Sequence, residues 1–88
     1  MRAKLVAVLS DTCGYCHKFQ RDVLSQPCMQ GRFEIVNSAS VCPRAPAALQ
    51  SSAVPFLIYI VGDRVVETTV GYADAVTVCK KLDAYGGQ

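Results

Sequence analysis

Cys13-Gly14-Tyr15-Cys16 sets two thiols three positions apart, close enough for the pair to close into a disulfide and reopen. The chemistry this spacing allows is thiol–disulfide exchange. One thiolate attacks a substrate disulfide, a mixed disulfide forms, and the second thiol displaces the reduced product. The pair lies where an apolar run, Ala3 to Leu9, gives way to helical spacing. A thiolate at a helix start is stabilised by unpaired backbone N–H groups and by the helix dipole, so Cys13 is read as the attacking thiol. Cys16 falls one turn further in on the same side and is read as the resolving thiol.

Other residues allow other chemistries. Cys13-x-x-Cys16-His17 fits covalent haem attachment, with Met29 as a second axial ligand, but the strand-rich remainder and the leaderless start expected if Met1 is native argue against it. The alternative of a different class is a zinc-binding Cys/His module without catalysis, drawing on Cys13, Cys16, His17, Cys28 and Cys42. Its weakness is the second half of the site, because Cys28 and Cys42 form no second C-x-x-C. Metal analysis separates the zinc reading from the redox one. His17, the only histidine, stands at the start of the helix as either a cation beside the thiolate or a solvated side chain. Asp11 and Lys18 read as solvated charges.

The elements that must hold this pair follow from periodicity. Ala3 to Leu9 suits a strand buried on both faces. From Gly14, Cys16, Phe19, Val23 and Leu24 fall on one helical face, opposite Lys18, Gln20, Arg21 and Asp22, and Gln26-Pro27 ends the helix. Arg32 to Asn37 reads as a second strand, completing a βαβ unit. Ser38 to Ser52 is rich in Ser, Ala and Pro and admits a helix only from about Arg44 to Gln50. Val54 to Val61 and Val65 to Val70, separated at Gly62-Asp63, read as an antiparallel hairpin. Gly71 stops the fourth strand, and Asp74 can cap a closing helix that has Ala75, Val78, Cys79, Leu82 and Tyr85 on one face. The fold class is α/β, with a four-stranded mixed sheet flanked by helices in the order β-α-β-(α)-β-β-α, in one domain over residues 1–88.

With the motif placed, the chain resembles the thioredoxin superfamily over nearly its whole length. The matching features are an apolar strand ahead of the C-x-x-C, the Val54-Pro55 step, the hairpin after it, and the Val70-Gly71 step into the last helix. The resemblance implies a cis Val54–Pro55 bond opposite the redox cysteines, with Val54 offering its N–H and C=O to an extended substrate. It also implies that Gly14, Tyr15, Val54 and Pro55 form the substrate surface. Thr12 to Lys18 is similar to the active site of bacterial periplasmic disulfide isomerases, with nothing matching their dimerisation domain. The tryptophan and buried aspartate usual in thioredoxins proper are replaced by Thr12 and Ala7. Glutaredoxins share the small size and the Val-Pro step, and Gly71-Tyr72-Ala73-Asp74 is similar to their glutathione-binding turn. The implied function is a thiol–disulfide oxidoreductase acting on protein or glutathione-mixed disulfides. Its partners are protein disulfides or dithiols, and its electron source is a reductase or glutathione, with no bound cofactor. Whether it runs as reductase, oxidase or isomerase stays open.

Composition supports a folded globule, and a monomer is expected. Of 88 residues, 51% are hydrophobic and 18% charged, enough apolar material for a core. The net charge of +2 is spread along the chain, which disfavours nucleic acid, and the first apolar run is too short for a signal peptide or a membrane span. A chain that begins natively at Met1 is therefore expected in the cytosol. Five cysteines in such a chain point to redox or metal chemistry, and the odd count leaves at least one thiol free or intermolecular. Cys79, on an apolar helix face, reads as a buried packing residue. Cys28 and Cys42 are expected to bridge on oxidation, closing a loop worth roughly 3 kcal/mol on chain-entropy grounds.

Overall fold

The computed structural model describes residues 3–10, 13–37 and 54–86. The helix expected near Arg44 to Gln50 lies outside them, as do Asp11, Thr12 and Cys42. The strands are β1 (Ala3–Leu9), β2 (Phe33–Asn37), β3 (Phe56–Val61) and β4 (Arg64–Val70), with helices α1 (Gly14–Phe19) and α2 (Ala75–Gly86). The helical path of α1 continues into a π-helical turn over Gln20–Leu24, and a short 3-10 turn, Pro27–Met29, leads to β2.

Four strands form one mixed sheet in the order β2-β1-β3-β4. β1 runs parallel to β2, as a crossover through α1 requires, and antiparallel to β3, which pairs antiparallel with β4. The two central strands are the most apolar in sequence, and Leu5, Ala7, Leu57 and Tyr59 on them are wholly buried. Together with Phe19, Val23, Met29, Val78 and Leu82 they build the main core between the sheet and the two helices. Full burial of a side chain such as Phe19 contributes about 1.5–3 kcal/mol. Val8, Phe56 and Ile58 face the other side of the sheet in a smaller cluster.

Local chemistry sets where the elements begin and end. β3 starts at Phe56 rather than Val54, because Pro55 has no N–H for the ladder. The hairpin turns at Gly62, whose φ of 65° lies in the left-handed region that glycine enters without a steric cost. At the end of the π-helical turn, the Ser25 hydroxyl and the Gln26 amide donate to the carbonyls of Arg21 and Asp22, satisfying groups that the helix itself leaves open. The Asp74 carboxylate accepts the Thr77 N–H at 2.8 Å and caps α2, and that bond holds its carboxyl below the usual range. Glu67 on β4 binds Lys81 and Tyr85 of α2, fixing the helix against the sheet edge. Those two partners, Lys81 first, lower its carboxyl from the ordinary value. No described helix is long and apolar enough to cross a membrane.

Candidate active site

The site is built at the carboxyl end of β1. Cys13 has extended backbone angles, φ −95° and ψ 116°, and occupies the N-cap of α1. Its carbonyl accepts the His17 N–H at 3.2 Å, which starts the helix, and its sulfur accepts the Cys16 N–H at 3.2 Å. The sulfur thus stands where a serine or aspartate oxygen would satisfy an open helical donor. Cys13 is half-buried, and among the described residues a Cβ added at the neighbouring Gly14 would meet nothing within 4 Å. Tyr15 projects outward, 66% exposed.

Cys16 is the opposite case. It is 1% exposed, closed in by the main core, and its sulfur accepts the Ser10 N–H at 3.5 Å from the end of β1. Burial, reinforced by the side-chain hydrogen bond with Cys13 and opposed by Ser10, pushes its thiol from an ordinary 9.0 up to about 11. The two cysteines are therefore unlike each other, one half-buried at the N-cap of α1, the other sealed and held as a neutral thiol.

The third side of the site comes from the chain before β3. The Val54–Pro55 bond is cis, and the Val54 carbonyl accepts the Cys13 thiol at 3.7 Å. Pro55 is buried, and its carbonyl accepts the Gly71 N–H at 2.7 Å. Gly71, at φ 99°, takes a conformation closed to most other residues, so the end of β4 can fold back onto Pro55. The structure thus brings Cys13, Cys16, Gly14, Tyr15, Val54 and Pro55 to one end of the sheet. His17 and Lys18 lie exposed on α1, with the Lys18 ammonium 5.3 Å from the ring centre of Tyr72.

Two expectations about the remaining cysteines are corrected. Cys28 is joined to Cys79, with their Cα atoms 6.2 Å apart, and not to Cys42. Cys79 is correspondingly half of a covalent link between the Pro27–Met29 turn and α2, not an inert packing residue. The apolar face of α2 correctly placed it inward, but only the docking of α2 beside the end of the π-helical turn brings it to Cys28. This bond takes Cys28 out of the ligand set that the zinc reading needs, and among the described residues no three His, Cys, Asp or Glu side chains gather as a metal site. Met29, wholly buried in the core, is not presented as a haem ligand.

The neutral state of Cys16 has a consequence for stability. Tyr59 behaves alike, its wholly buried phenol pushed by burial, with Glu67 and Tyr85 nearby, from 10.0 to about 12. In both cases the native state holds the proton more tightly than the unfolded chain. Their contribution is complete below the unfolded value and lost as pH rises through the folded one. Stability of the reduced protein is expected to fall from pH 9 to about 11 as Cys16 ionises, and from pH 10 to about 12 through Tyr59. Urea unfolding against pH checks this. Cys16→Ser should flatten the lower window, and an unchanged slope there would show that Cys16 is not the group responsible.

No protein-family model and no curated protein matches the sequence. Solved structures do match. The crystal structure of the periplasmic thioredoxin SoxS from Paracoccus pantotrophus, in its reduced form, is similar with a TM-score of 0.67 at 14% identity, over 97% of this chain and 96% of that one. The solution structure of a thioredoxin from Thermus thermophilus is similar with a TM-score of 0.70 at 20% identity, over 96% of this chain and 73% of that one. The chain has the thioredoxin fold: a four-stranded mixed sheet with a Cys13/Cys16 pair at the start of a helix.

Proposed function

We propose that this chain is a thiol–disulfide oxidoreductase working through a reversible Cys13–Cys16 disulfide on protein disulfides. The observation that supports it best is the position of the Cys13 sulfur, capped by the Cys16 N–H and facing the Val54 carbonyl ahead of Pro55. Cys13 as thiolate attacks one sulfur of the substrate disulfide. The substrate S–S bond breaks, and the departing thiolate takes up a proton. Cys16 then loses its proton and attacks the Cys13 sulfur, closing the Cys13–Cys16 bond and releasing the second substrate thiol. Two electrons pass to the substrate.

The high value at Cys16 suits this order. Part of it comes from the Cys13 side chain, and that part disappears once Cys13 is bound in the mixed disulfide, so the resolving thiol becomes easier to ionise when it is needed. Val54 offers backbone hydrogen bonds to an extended substrate strand, while Gly14 and Tyr15 form the open floor beside the sulfur. A reductase or glutathione returns the electrons. The same steps run backward oxidise a dithiol, and the potential of the pair relative to its partners sets the direction.

The test is Cys16→Ser. Attack still occurs but resolution does not, so this variant is expected to accumulate a mixed disulfide between Cys13 and a protein substrate such as insulin, visible by mass and released by dithiothreitol. Disulfide reduction by Cys16→Ser at the wild-type rate without added thiol would refute the division of roles.

A further inference from the structure

A second pair of sulfurs lies away from Cys13, and its two members differ in access. Cys28 is exposed in the turn after the π-helical segment, whereas Cys79 is 8% exposed and packed in the main core. Beside Cys28 is an open pocket of about 420 Å³ lined by Pro27, Cys28, Gln30, Arg32 and Asp83. Its polar groups include an ion pair, the Arg32 guanidinium with Nη1 on Asp83 Oδ1 at 2.7 Å. Only part of that planar fork is used by Asp83, and a guanidinium can present further N–H groups to a carboxylate. A disulfide with one reachable sulfur, next to a cation in a recess large enough for a small peptide, has the features of a site for exchange with a carboxylate-bearing thiol.

We propose that Cys28–Cys79 is a second redox site, opened by a low-molecular-weight peptide thiol that enters this pocket, is held through a carboxylate by Arg32, and attacks Cys28. The thiolate forms a bond to the Cys28 sulfur as the Cys28–Cys79 bond breaks. Cys79 leaves as a thiolate and takes up a proton inside the core. A second molecule of the thiol attacks the mixed disulfide, leaving Cys28 and Cys79 reduced and the small thiol oxidised to its own disulfide. Two thiols lose the two electrons that the protein disulfide gains. Access decides which sulfur is attacked, since the Cys79 side is closed by the core.

The inference does not depend on the reading of Cys13 and Cys16. In a compartment poised by such thiols the pair stands open, and in an oxidising one it ties the far end of the active-site helix to α2.

The experiment uses full-length Cys13→Ser/Cys16→Ser protein, oxidised, so that the proposed active site contributes nothing and its failure would not be confused with failure here. The protein is incubated with reduced glutathione, quenched with acid and mapped by mass, which separates Cys42 from the pair. Glutathione is expected on Cys28, with Cys79 becoming alkylatable. Arg32→Gln is expected to slow opening by glutathione about three- to fivefold, as for loss of one exposed charge contact, while leaving opening by uncharged 2-mercaptoethanol unchanged. Absence of the Cys28–Cys79 bond in the oxidised protein would overturn the proposal. So would an adduct on Cys79, no opening by glutathione, or equal slowing of both thiols by Arg32→Gln.

Discussion

Cys13→Ser is expected to reduce disulfide-reductase activity to background, a loss of at least about a thousandfold, because it removes the attacking sulfur of the Cys13/Cys16 pair. The change is favourable to the fold. Serine is among the preferred N-cap residues, and its hydroxyl can take over the Cys16 N–H that the Cys13 sulfur now accepts. Unfolding curves of Cys13→Ser and of the reduced wild type should therefore lie close together while their activities differ by orders of magnitude. That pairing of results separates a chemical role from a structural one. Insulin reduction with dithiothreitol as electron donor, corrected for the uncatalysed rate, measures it. Activity within tenfold of wild type would mean that another sulfur does the work. Cys16, closed in by the core, has no comparable route to a protein substrate.

Loss of the Cys28–Cys79 bond is the largest expected effect on stability. Its halves are 51 positions apart in sequence, and closing a loop of that length in the unfolded chain is worth about 4 kcal/mol on the chain-entropy account. Small domains have only about 5–15 kcal/mol of net stability, so this bond accounts for a large share of it. The melting temperature of Cys28→Ala/Cys79→Ala should fall by roughly 15–30 °C below that of the oxidised protein, given the low unfolding entropy of a domain this size. Replacing both cysteines avoids leaving a lone thiol that could pair elsewhere. Calorimetry of the variant beside oxidised and reduced wild type provides the comparison. A difference below about 1 kcal/mol would show that the two sulfurs are not joined in solution. The measurement also bears on the proposed second redox site, because opening Cys28–Cys79 and deleting it should destabilise the protein to a similar extent.

Much of the fold is legible in the chain because the rules that set it act over a few residues. The unbroken apolar run of Ala3 to Leu9 specifies a central strand, and the spacing of Cys16, Phe19, Val23 and Leu24 specifies the buried face of the helix after it. Gly62-Asp63 between two β-branched runs specifies the hairpin, and Asp74 three residues before Thr77 specifies the cap of α2. Cys13 at the strand-to-helix junction is such a feature as well, since the N-cap position follows from where the apolar run stops and the helical spacing begins. These are contests between neighbouring groups, and neighbours are written in the sequence.

What tertiary structure alone decided lies between residues far apart in the chain. The insertion of β3 beside β1 brings the Val54 carbonyl to Cys13 across 41 positions and makes a two-residue motif into a three-sided site. Burial by that packed core, a property no single segment has, raises the Cys16 thiol and sets it apart from its partner. Cys28 had one candidate partner nearby in sequence, Cys42, and the docking of α2 supplied a different one in Cys79. Periodicity states which face of a helix turns inward but carries no information about which side chain it will meet. A disulfide requires Cα atoms within about 7 Å, and that distance depends on how the whole set of apolar faces packs together.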